Sequence, residues 1–126
     1  MDDLVQWLRA QLDADQAKAQ AVGEETWEAR YVDSVNDYPD TATVRLPGGD
    51  DVAVMERYSM RDAEHIAAWD PARVLREIDA KRRTLIRCEE AMLAASPMLV
   101  HFAKQTAWDM ARPYADRPGY REEWRP

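Results

Sequence analysis

A lone cysteine, Cys88, leaves the chain without a partner for an internal disulfide. The fold must therefore rest on packing, and the chain suits a reducing compartment. Histidine is almost as scarce: His65 and His101 stand 36 positions apart. A structural zinc site takes four ligands, usually in close sequence pairs, so this spacing gives no zinc set. Apolar runs are short. None approaches the ~20 residues that span a bilayer. The opening Met1-Asp2-Asp3 lacks the basic and apolar segments of a signal peptide. These absences predict a cytoplasmic protein with no metal, no cofactor and no membrane contact. Positive charge is also in deficit, with 17 Lys and Arg against 24 Asp and Glu, a net charge of −7. Phosphate binding needs clustered positive charge, so nucleic acid is a disfavoured partner.

The 126 residues fit one domain, 1–126, long enough to bury a core without staples. A hydrophobic share of 46% with 33% charged residues separates the chain from disordered sequences. Its five Trp residues are costly to expose and call for a core or an interface. Charge is uneven: residues 1–64 carry 15 acidic and 6 basic side chains, residues 65–126 carry 9 and 11. Such asymmetry bears on association, not on fold.

Residues 1–23 read as a helix. Leu4, Leu8 and Leu12 recur at a helical step beside Val5 and Trp7. Asp2 or Asp3 can cap its start, and Gly23 stands where a left-handed cap is needed. Over 26–56 the period changes to two. Trp27, Ala29 and Tyr31, then Ala42, Val44 and Leu46, then Val52 and Val54 alternate with their neighbours. Turn chemistry at 36–40 and 47–50 separates these runs, which predicts a three-stranded antiparallel meander. Helices follow over 59–111. Ser59 can cap a short one, Asp70-Pro71 starts a long one running towards Ala95, and Ser96-Pro97 starts the last. Val74, Ile78, Leu85, Cys88 and Met92 mark the long helix's apolar stripe, widened by Leu75, Ile86 and Leu93. Met98, Leu99, Phe102, Thr106 and Met110 mark that of the last helix. The two predict a long antiparallel helical hairpin. Three prolines in 113–126 predict an extended tail.

Four features could carry chemistry or contacts. His65 lies near Asp62 and Glu64, but has no second ligand or base close in sequence. Cys88 falls on the apolar stripe, where a thiol is buried and inert. Arg73, Arg76, Arg83 and Arg87 share one helical face with Lys81 and Arg82 nearby; Glu77 and Asp79 interrupt it. The tail supplies Tyr114, Arg117, Tyr120, Arg121 and Trp124, residue types that anchor interfaces. It can dock on its own domain or serve a partner. Self-docking through Tyr114, Tyr120 and Trp124 is the expectation, since the prolines reduce the entropy lost on ordering.

The stretches Met1–Leu8, Asp62–Ala67 with Asp70–Arg83, and Pro113–Trp124 together resemble a family of small proteins of unknown function from Streptomyces, related actinobacteria and their phages. The middle block is also similar to segments of Ead-like early proteins of lambdoid phages. The resemblance implies a bacterial or phage accessory protein and brings no activity or site with it. Relatives often hold a Cys/His-rich stretch between long helix and tail, suggestive of zinc. Here Cys88 through Met110 contains one Cys and one His, a departure that argues against a metal.

The expected fold is α+β: an N-terminal helix, a small three-stranded antiparallel sheet, and a helical C-terminal half with a long hairpin and a tail. The expected function is a non-enzymatic binding or adaptor role through a protein partner or self-association. The alternative is a nucleic-acid-associated regulator using the Arg73, Arg76, Arg83 and Arg87 face.

Overall fold

A computed structural model describes residues 1–23, 25–32, 41–55 and 60–125. It has the α+β architecture expected from the sequence: one helix, a three-stranded antiparallel sheet, then a helical C-terminal half. The described residues form two compact units, Met1–Lys18 with Glu77–Pro126, and Ala19–Arg76.

The first helix, α1 (Asp2–Val22), buries Leu4, Leu8 and Leu12 completely, as their four-residue step requires. Asp2 and Asp3 occupy its first turn, where their charge suits the helix dipole. It stops at Gly23, whose φ of 124° is open to glycine, and the Gly23 N–H bonds back to the carbonyls of Ala19 and Gln20.

Within residues 19–76, β1 (Glu28–Val32), β2 (Thr41–Arg45) and β3 (Asp51–Met55) pair in the order β1-β2-β3, both pairs antiparallel. Ala29 stands opposite Val44, and Val44 opposite Ala53. Cross-strand partners share a face, so these three belong to the side that α2 (Met60–Ala68) covers with Ala63 and Ala67. Alanines on both layers allow close approach. Trp27, Met60 and Ile66 fill the margin. Ala53 therefore faces the core, while Val52 and Val54 point outward and remain exposed. The 47–50 turn closes the β2–β3 hairpin, with Gly49 N–H donating to Leu46 C=O at 2.9 Å. The expected turn at 36–40 and the cap Ser59 lie outside the described residues.

The Asp70-Pro71 signal opens α3 (Pro71–Met92). Asp70, only 8% exposed, accepts the Arg73 N–H at 2.7 Å with one carboxylate oxygen. With the other it accepts the Trp27 N–H at 3.2 Å, ahead of β1. One side chain thus caps a helix and holds the entry to the sheet. Ser96 caps α4 (Pro97–Ala111) in the same way, its hydroxyl accepting from Leu99 N–H.

The two C-terminal helices depart from expectation in which residues they bury. On α3, Ile78, Leu85 and Cys88 are buried, but Ile86 and Leu93 are not. On α4 the buried face is Ala103, Ala107 and Ala111, and the bulky Met98, Leu99 and Phe102 lie in solvent. The covered face of α4 is thus the row of small side chains at a four-residue step, not the row of bulky ones. Helix α3 also ends at Met92, three residues short of the expected Ala95.

Asp70→Ala removes a helix cap, worth about 1 kcal/mol, and strands the Trp27 N–H in a part-buried place. It is expected to lower stability by about 2–3 kcal/mol in urea denaturation, with Asp70→Asn losing less. Two wild-type-like midpoints would show that the carboxylate holds neither element.

Candidate functional site

Every fourth residue along one row of α1 meets the C-terminal tail. Asp3, Trp7, Gln11 and Asp15 follow the helix's i, i+4 ridge. The Trp7 ring is in edge or tilted contact with Tyr114, Tyr120 and Trp124, at centroid distances of 6.4, 5.7 and 5.3 Å. Its indole N–H donates to the Pro118 carbonyl at 3.1 Å. Arg117 donates to Asp15 at 2.6 Å and Gln11 at 3.3 Å, and its guanidinium lies 4.6 Å from the Tyr114 ring centre. Arg121 pairs with Asp3 at 3.0 Å. Lys81 on α3 reaches the Tyr114 hydroxyl at 3.3 Å. Tyr114 and Trp124 end 4% and 6% exposed.

The tail is not drawn out along its length. Arg112–Tyr114 and Glu122–Trp124 are single 3-10 turns. Between them Gly119 turns the chain at a φ of 84°. A Cβ there would lie 2.8 Å from Trp7 Nε1, so the position excludes a side chain by space as well as by backbone conformation. The five tail residues read from the sequence as anchors, Tyr114, Arg117, Tyr120, Arg121 and Trp124, thus come together on the chain's own first helix. Sequence reasoning missed the receiving row. Its signal was available: acids at positions 3 and 15 flank Trp7 at helical spacing, matching two tail arginines.

The basic face is differently disposed. Arg73 lies 4.1 Å above the Trp69 ring and donates to Ala68 C=O at 3.1 Å. Arg83 pairs with Asp79, one turn earlier, at 2.8 Å. Arg76 and Arg87 are exposed. The adjacent Arg82 bonds Asp13 and Gln16 of α1, and Arg9 pairs with Glu89 at 2.6 Å. Much of the α3 charge is therefore already matched by acids and carbonyls.

His65 is exposed in the last turn of α2. No group of three or more His, Cys, Asp or Glu gathers to hold a metal among the described residues. Cys88 is buried, and desolvation, with a smaller push from the Glu89 carboxylate, raises its thiol above the ordinary value. A reactive thiol needs the opposite shift. A depression of about 280 Å³ lies among Met1, Leu4, Lys104, Trp108, Glu123 and Trp124, at the small end for a ligand site.

What stands out on the surface is apolar. Leu93 is 89% exposed, Met98 69%, Phe102 61%, and Ile86 and Leu99 50% each. Ile86 lies on α3, Leu93 in the short link that follows it, and Met98, Leu99 and Phe102 on α4. Single exposed apolar residues are ordinary, but five large ones in seventeen positions are not.

The geometry defines a class: a small α+β protein whose C-terminus is strapped to its first helix and whose most prominent surface feature is apolar. The chain belongs to a family of unknown function, DUF6221, with the match covering residues 1–126. Neither a curated protein nor a solved structure matches it. No helix among the described residues is long and apolar enough to cross a membrane.

Two outcomes follow. Gly119→Ala should lower stability by more than about 1 kcal/mol, and Trp7→Ala and Trp124→Ala each by about 3–5 kcal/mol. Trp7→Ala and Trp124→Ala together should cost less than the sum of the two, because the rings touch; additive losses would disprove a shared contact. For Cys88, the raised thiol ionisation means its contribution to stability is complete below the unfolded thiol's range. It is lost as pH rises through the folded value. Alkaline destabilisation should therefore be smaller in Cys88→Ala, and a thiol reagent should label native protein at least ~10-fold slower than unfolded protein. Equal labelling rates would contradict burial.

Proposed function

We propose that the chain is a non-enzymatic binding or adaptor protein that acts through protein–protein contacts, with the α3–α4 corner as its working surface. The exposure of Ile86, Leu93, Met98, Leu99 and Phe102 carries this reading. Apolar surface on this scale is retained against solubility, and contact with another protein is its usual use. In this reading the tail residues Tyr114, Arg117, Tyr120, Arg121 and Trp124 serve by fixing the C-terminus on α1. Bacterial or phage origin is supported by the resemblance of three stretches of sequence. A cytoplasmic location is supported by the single cysteine, Cys88, which has no partner for an internal disulfide.

The alternative, a nucleic-acid-associated regulator, rests on Arg76 and Arg87 together with Arg73 and Arg83. Because the latter two are engaged locally, any DNA contact should be weak and should fade between low and physiological salt. An enzymatic role is disfavoured by the raised Cys88 thiol and by the position of His65 on a solvent-facing turn.

A photo-crosslinking side chain placed at residue 102, and separately at 93, tests the reading inside cells. Crosslinks to protein are expected from both, and not from the exposed control position 61 on α2. Absence of any crosslink from 93 and 102 would defeat it.

A further inference from the structure

Resting on that reading, we infer that the occupant of the α3–α4 corner is a second copy of this chain, so that the protein is a homodimer joined through Ile86, Leu93, Met98, Leu99 and Phe102. Two observations choose this occupant. The first is area. Side chains of this size, half to nine-tenths exposed, together present on the order of 600 Å² of surface on the two helices and the link between them, as much as the largest patch of a typical monomer. An isologous two-fold contact buries the same patch twice. That doubles the area to about 1,200 Å², the threshold of a stable standard interface.

The second observation is charge. The chain as a whole carries −7, which opposes its own association through most of its surface. The corner is different: residues 83–109 contain three Lys or Arg (Arg83, Arg87, Lys104) and three Asp or Glu (Glu89, Glu90, Asp109). A neutral segment fringed by both signs can meet its own copy without like-charge opposition. A strongly acidic or basic partner would gain nothing there, because neither sign is in excess. Helix α4 also puts Met98 and Phe102 on the side away from its buried alanines, so docking needs no unpacking of the core.

Sedimentation equilibrium of the full chain at tens of micromolar tests the inference. The expected mass is twice the 14.5 kDa of one chain. The double variant Leu93→Asp with Phe102→Asp should sediment as a monomer with an unchanged circular dichroism spectrum, since both positions are exposed, and Phe102→Leu should remain dimeric. A monomeric wild type overturns the homodimer, and so does a double variant that still dimerises, because the contact would then lie elsewhere. The two readings fail separately. A monomeric wild type that crosslinks from residue 102 to a different protein loses the dimer and keeps the binding role. A monomeric wild type with no crosslink from 93 or 102 loses both.

Discussion

The Trp7 indole has to bury a large ring and satisfy an N–H, and α1 can do neither alone, because the residue stands beside the Leu4, Leu8 and Leu12 stripe and not within it. The tail does both. Tyr114, Tyr120 and Trp124 surround the ring, and the Pro118 carbonyl takes the proton. Most other features of the C-terminus serve this contact. Gly119 is bare because the indole passes within a Cβ's reach, and Arg117 and Arg121 are spaced to meet the acids that flank Trp7 along the helix. The ion pairs differ in weight. Arg121 and Asp3 are half or more exposed, so their pairing contributes little. Arg117 and Asp15 are mostly covered and share a charge-assisted bond, so theirs contributes more. Aromatic burial remains the dominant part, at roughly 1.5–3 kcal/mol for each ring removed from water.

Much of the fold could be read from the sequence, because local signals and packing agree there. The leucine step of α1, the Asp70-Pro71 and Ser96-Pro97 starts, and the period-two runs each specify one element with one mechanism. The readings that failed concern faces rather than elements. On α4, hydrophobicity pointed to Met98, Leu99 and Phe102, while packing chose Ala103, Ala107 and Ala111. Side-chain size, which a hydrophobic stripe ignores, decided the outcome: three alanines in register give a flatter surface than three bulky residues. On β3 the pairing skips Val52, between Val44 opposite Ala53 and Arg45 opposite Asp51, and Ala53 faces inward while the two valines face outward.

The candidate surface was hidden from sequence reading for the same reason. Ile86, Leu93, Met98, Leu99 and Phe102 were all assigned to the core by type and spacing, so nothing remained to mark them as free. The basic face shows the opposite error. Its four arginines are in phase along α3, yet phase says nothing about neighbours, and Asp79 and the Ala68 carbonyl have already engaged two of them. The tail lay between these cases. Its residue types announced an interface and its prolines favoured ordering, but only the row Asp3, Trp7, Gln11 and Asp15 identifies the surface it occupies.

The strap and the exposed corner are joined by one element. Helix α4 begins beside the corner and ends at Ala111, where the chain turns at once through Arg112–Tyr114. Tyr114, the first tail anchor, is three residues beyond the helix and is held by Trp7, Arg117 and Lys81. Roll decides which face of α4 meets solvent: the alanine row fits inward only in the orientation that sends Met98 and Phe102 outward. Burial of the alanines and exposure of the bulky pair are thus two sides of one helix, whose last turn runs straight into the tail.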